Sequence, residues 1–184
     1  MSYIERYDSY RKQTYRNRCV IATTNGLQAL TIPVERPDGG LHSTLLKDLK
    51  ISDHGNWRHL HWHALMSAYS ESPFFEYYAD DLRPFFEKKW DYLYDFNMEA
   101  CEAVCSLLDI HPNIQTTSQY IKKDELPEDI IDFREFIDPK HPAEDADFEP
   151  RRYYQVFERK TGFQPNLSIL DLLFNMGPEG IFYL

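Results

Sequence analysis

The sequence predicts a mixed α/β domain: a small, partly antiparallel sheet with a β-hairpin, packed against several helices. Three observations lead there. Cys19–Thr24 and Leu27–Ile32 are alternating β-prone runs that flank Asn25-Gly26. That dipeptide suits a type I′ turn, because both central residues need positive φ. Trp57, Leu60, His61, Ala64, Leu65 and Ala68 recur at three- and four-residue steps, so they predict one helical face. Ser168, followed by Ile169, Leu170, Leu173 and Phe174 and then by Gly177-Pro178, reads as a capped helix with a stop signal.

The remaining elements follow in order. Tyr3–Tyr10 predicts an edge strand at the start of the chain. Pro33, which lacks an N–H, ends the second hairpin strand. Leu45–Ile51 alternates apolar residues with Lys47, Asp48 and Lys50, which predicts a third strand. Asn56 is the expected cap of the helix opening at Trp57. Ser72-Pro73 is a second start signal, with Phe74, Tyr78, Leu82 and Phe85 facing inward. Pro84 should break that helix. Asp95 or Asn97 would cap a third helix carrying Ala100, Val104, Leu107 and Leu108 inward, with Cys101 and Cys105 on its flank. Residues 124–149 hold 11 acids against Arg134 and Lys140. They predict an acidic, proline-containing surface segment with brief order around Ile130 to Ile137.

Composition bounds the function. The chain has 184 residues, enough for one domain spanning 1–184 with a sizeable core. Its 13 Tyr, 12 Phe and 3 Trp exclude a disordered chain. A net charge of −10 disfavours nucleic acid and anionic membranes as partners. No apolar run reaches the roughly 18 residues a membrane helix needs. Met1–Arg6 shows no export signal, so a cytoplasmic location is expected, with Cys19, Cys101 and Cys105 as reduced thiols.

Few residues carry chemistry by pattern. His61 lies on the apolar face of its helix, where burial shifts an imidazole pKa and a pocket would make it a proton acceptor. Arg16 and Arg18 flank Asn17 just before the hairpin. At i and i+2 of an extended segment they face one side, which suits a carboxylate or phosphate. Asn17 faces the other way and needs partners if buried. His59 and His63 have the i, i+4 spacing of zinc helices, but position 60 is Leu and no further ligand is tied to the pair. The reading is therefore no metal and no cofactor. Cys101 and Cys105 read as core residues, Cys19 as an inert strand thiol, and Asn166, Ser168 and Asp171 as caps. Nucleotide-binding glycine fingerprints and serine elbows are absent from the sequence.

Four strings in a fixed order carry a resemblance. They are Tyr15-Arg16-Asn17-Arg18; Leu30-Thr31-Ile32-Pro33-Val34; Trp57, His61 and Tyr69 before Ser72-Pro73-Phe74-Phe75; and Tyr154-Gln155 leading to Phe163–Gly177. Together the chain resembles the WbqC-like protein family from about Ile4 to Leu184. The resemblance implies surface-polysaccharide (O-antigen) synthesis and an aminoacyl, specifically glycine, transferase activity. On that comparison the family's first strand and helix are expected to be missing. Such a transfer would take a small-molecule or sugar-linked substrate, and the residue patterns above offer His61 as base and Arg16 and Arg18 as anion clamp. Asn17 would be an amide donor, and Trp57 and Tyr69 an aromatic wall for a sugar ring. The alternative is a non-catalytic protein that docks a partner enzyme through the acidic segment.

Overall fold

The computed structural model describes residues 1–134, 137 and 150–184. Its architecture is mixed α/β, with the strands in two separate pairs rather than one sheet. Strand β2 (Arg18–Thr23) and β3 (Gly26–Thr31) form the antiparallel hairpin, with Thr23 opposite Gly26. Only Gly26 of this turn has a positive φ, 107°. A type I′ turn needs two such residues, so the tight turn is closed by one left-handed glycine instead. Asn17 extends the ladder: the Ile32 amide donates to the Asn17 carbonyl at 2.8 Å, and Asn17 Nδ2 donates to the Ile32 carbonyl at 2.8 Å.

The second pair is β1 (Ser2–Ile4) beside β4 (Ile114–Thr116), parallel, with Tyr3 opposite Gln115. The edge strand thus covers only the first part of Tyr3–Tyr10, and β4 carries too few residues to show a period. The strand expected over Leu45–Ile51 is a 3-10 turn at Leu46–Asp48 flanked by single bridges, Ser9 to Leu45 and Val34 to Ile51. Its apolar residues are buried by coiling over the core rather than by pairing; Leu49 and Ile51 are both core residues.

The helices are α1 (Trp57–Tyr69), α2 (Phe75–Leu82), α3 (Pro84–Glu87), α4 (Leu93–Leu107), α5 (Glu158–Thr161) and α6 (Ile169–Met176). Pro84 opens α3 at its first position, so it ends α2 as expected. Three starts differ. Asn56 precedes α1 in a left-handed conformation and makes no side-chain cap bond. Ser72 Oγ donates back to the Tyr69 carbonyl at 2.6 Å, and α2 opens at Phe75. Helix α4 begins at Leu93, placing Asp95 and Asn97 inside it. Leu60 is 59% exposed, so α1 buries a narrower stripe than its sequence suggests.

The α6 cap is as expected: Ser168 Oγ accepts from the Leu170 amide. The Ser168 amide in turn donates to the Val20 carbonyl at 2.7 Å, docking α6 on the hairpin. The main core joins Ile21 and Leu30 of the hairpin to Leu65 and Tyr69 of α1, Tyr78 of α2, and Leu173 and Phe174 of α6. A second core gathers Tyr10, Ile32, Leu49, Trp57, Trp90 and Leu93. The described part of the acidic segment includes a short 3-10 turn at Lys123–Glu125, and Arg134 pairs with Asp132 at 2.7 Å. The order expected around Ile130 to Ile137 lies partly outside the described residues. No described helix is long and apolar enough to cross a membrane.

Candidate functional site

A cavity of about 440 Å³ opens where the two cores meet, between the start of the hairpin, α1 and α4. Arg16, Asn17, Arg18, Trp57 and His61 all line it. The rest of its wall is largely hydrocarbon and aromatic, including Leu30, Ile32, Phe85, Phe86, Phe96 and Leu108. Among the described residues no aspartate or glutamate lines it, although the chain carries 30 acids against 20 Lys and Arg.

The local structure explains why these side chains converge. Arg16 sits in a turn rather than an extended segment, so the expected i, i+2 geometry is only partly present. Asn97 of α4 holds that turn by donating Nδ2 to the Arg16 carbonyl at 2.8 Å. The Arg16 guanidinium is ion-paired with Asp8. Arg18 opens β2, and its Nε donates to Thr31 Oγ1 of the neighbouring strand at 3.2 Å. It has no carboxylate partner among the described residues. Its charge is therefore the less compensated of the two.

His61 and Trp57 are one helical turn apart on α1. Their rings meet edge to face with centroids 5.2 Å apart, and Phe96 packs edge-on to Trp57 at 6.1 Å. Burial lowers the His61 pKa to about 4, because an imidazolium loses water there and gains no anion. His61 is thus neutral at pH 7, with a lone pair free to accept a proton.

Two buried polar atoms beside the cavity lack partners among the described residues: Asn17 Oδ1 and Trp57 Nε1. Asn17 Nδ2 gives one hydrogen to Ile32. The amide thus has an unused acceptor in Oδ1 beside its second Nδ2–H.

Tyr69 is placed elsewhere. It is fully buried and does not line the cavity, so it offers no wall to a sugar ring. Its hydroxyl donates to Asp171 Oδ1 at 2.7 Å and accepts from the Ala22 amide at 3.3 Å. Tyr153 donates to the other Asp171 oxygen at 2.8 Å. Asp171 is 1% exposed, which overturns its reading as a cap and makes it the centre of a buried network. Burial pushes its pKa up, and both tyrosine pKa values are raised as well, first by burial and then by the Asp171 charge.

The cysteines divide. Cys19 is half-buried at the cavity wall, and burial raises its pKa, in keeping with an inert thiol. Cys101 is exposed and, with Cys105, lines the cavity rather than the core interior. His59 and His63 lie on the exposed side of α1 with ring centroids 4.1 Å apart. Among the described residues, no group of three His, Cys, Asp or Glu is placed to hold a metal ion. Sequence reasoning missed Phe85, Phe86, Phe96 and Asn97. The first two follow Pro84, but nothing in their spacing marks them as a cavity wall.

A mixed α/β domain whose two cores enclose an apolar cleft with a cationic rim is thus the class the geometry defines. The sequence profile of the WbqC-like protein family matches residues 7–142, and the chain belongs to that family. It is also similar to the uncharacterized protein Rv1507c of Mycobacterium tuberculosis (strain ATCC 25618 / H37Rv), at 31% identity over 197 residues. That alignment covers 95% of this chain and 83% of the relative. No solved structure matches.

Proposed function

We propose that this protein transfers an acyl group to an amine of a sugar-linked acceptor in surface-polysaccharide synthesis. The family supplies the polysaccharide context and the glycyl donor as the first donor to test. The observation that carries the reading is one cavity bordered by a neutral imidazole, a guanidinium without a carboxylate partner among the described residues, and a largely apolar wall.

The step balances simply. The amine nitrogen attacks the carbonyl carbon of an activated acyl donor, a thioester or acyl phosphate. The N–C bond forms, and the bond from that carbon to sulfur or phosphate oxygen breaks. The leaving group departs with the electron pair. The nitrogen proton becomes strongly acidic as the N–C bond forms, so a weak base suffices, and His61 accepts it. Arg18 holds the anionic part of the donor. Trp57 and the phenylalanines exclude water, which strengthens that charge contact.

The test supplies nucleotide-linked amino sugars with activated glycine and, in parallel, an activated fatty-acyl donor, seeks an acyl mass increment on the sugar, and compares variants with the donor that is used. His61→Ala and Arg18→Ala should each lower turnover by at least about 100-fold while the melting temperature stays within a few degrees. Equal turnover in the variants would refute the assigned roles, and collapse of the fold would make the two residues structural.

A further inference from the structure

We infer that this cavity selects an anion-headed apolar ligand, a carboxylic acid with a hydrocarbon body or its acyl derivative, and rejects a cationic one such as a free glycyl group. The inference rests on the reading of the cavity as the binding site, and it narrows the donor.

Charge argues first. Arg16 and Arg18 line the cavity, and among the described residues no aspartate or glutamate side chain lines it. Arg16 is compensated by Asp8, which is not itself a lining residue; among the described residues Arg18 has the hydroxyl of Thr31 and no carboxylate. An incoming ammonium would lose water, meet a guanidinium and find no aspartate or glutamate side chain in the lining, which is costly against a largely apolar wall. A carboxylate or phosphate placed at Arg18 instead gains charge-assisted hydrogen bonds.

Shape and polarity argue second. The wall away from the arginines is Leu30, Ile32, Phe85, Phe86, Phe96 and Leu108. At about 440 Å³ the space lies in the range of pockets that enclose whole organic ligands. A glycyl group would leave most of that apolar surface uncovered. A hydrocarbon chain covers it and gains the transfer free energy of each buried methylene. His61, neutral above about pH 4, adds no second positive charge at pH 7 and leaves Arg18 as the anchor.

The larger neighbouring cavity, about 520 Å³, has a different character. It is lined by Glu5 as well as Arg11, Arg16 and Arg134, and it shares Tyr15, Arg16 and Asn97 with the smaller one. Arg18 lines only the smaller cavity, so it distinguishes the two in an experiment.

The test is calorimetric titration of the full chain at pH 7 with octanoate, methyl octanoate, octylamine and glycine. The first three share one body and differ in head charge. Octanoate should bind with unit stoichiometry and at least about tenfold tighter than the ester or the amine, and glycine should give no heat of binding. Arg18→Met should bring octanoate to the affinity of the ester, while Arg18→Lys keeps part of the preference. If octylamine or glycine binds as well as octanoate, the inference fails, and a cationic acyl donor regains its place. Octanoate affinity unchanged in a folded Arg18→Met also overturns it, and so does absence of octanoate binding. If Arg18→Met does not fold, the head-group series on the unaltered chain still decides. Loss of sugar acylation with octanoate binding intact would refute the transfer reading alone and leave the ligand class standing.

Discussion

Two regions of this molecule place polar groups inside apolar surroundings, and they do so in opposite ways. Around Asp171 both carboxylate oxygens are satisfied, one by Tyr69 and one by Tyr153, and the Tyr69 hydroxyl also takes the Ala22 amide. Around the cavity, among the described residues, Arg18 has no carboxylate, His61 has no anion, and Asn17 Oδ1 and Trp57 Nε1 have no partner. A closed network rigidifies a core, whereas an open one leaves binding capacity for something else. Completeness of pairing, rather than residue type, separates structural polar groups from candidate functional ones here.

The largest effect expected from this contrast is on stability. Asp171→Ala strands two phenol hydroxyls and opens a hole at the junction of α6 with α1. It should cost roughly 2–4 kcal/mol, read as a drop of about 10 °C in melting temperature. A drop under about 2 °C would mean the network is dispensable. Tyr69→Phe removes one donor to the carboxylate and one acceptor for the Ala22 amide, and should cost roughly 1–3 kcal/mol by denaturant unfolding.

A smaller effect is expected from pH. The His61 pKa falls from an ordinary 6.5 to about 4 on folding, so below pH 6.5 the unfolded chain binds the extra proton first. Stability should therefore decline as pH drops from about 6.5 to about 4, and His61→Gln should flatten that decline. The raised pKa of Asp171 works in the opposite sense, so the comparison to make is the difference between the unaltered chain and His61→Gln. The same slope in both would remove His61 as a buried neutral group. The smallest stability effect is expected for Arg18→Ala, within about 1 kcal/mol, because the partly exposed guanidinium makes one neutral hydrogen bond.

Much of this arrangement was legible in the sequence where the signal is local. The three-and-four spacing from Trp57, the Pro84 break and the Ser168 cap each depend on near neighbours, and each appears in the fold. Arg16, Asn17, Arg18, Trp57 and His61, singled out by residue type and position, line one cavity. What escaped is non-local. The parallel pairing of Ser2–Ile4 with Ile114–Thr116 joins segments too short to alternate visibly. Leu45–Ile51 alternates like a strand but meets its neighbours only through isolated bridges, to Ser9, Val34 and Tyr92. Asp171 has the sequence context of a cap, yet its partner Tyr69 lies 102 residues away. Tyr69 was assigned to the site by its neighbours in sequence, and a contact across the fold moved it to the core.

The central claim is that the space beside Trp57 and His61 receives a ligand anchored by Arg18. Proton NMR of the Trp57 indole N–H and the His61 ring during addition of octanoate tests it most directly. Both signals should move and saturate together in the unaltered chain and stay nearly still in Arg18→Ala. Signals that do not respond, or that respond equally in both proteins, would contradict the claim.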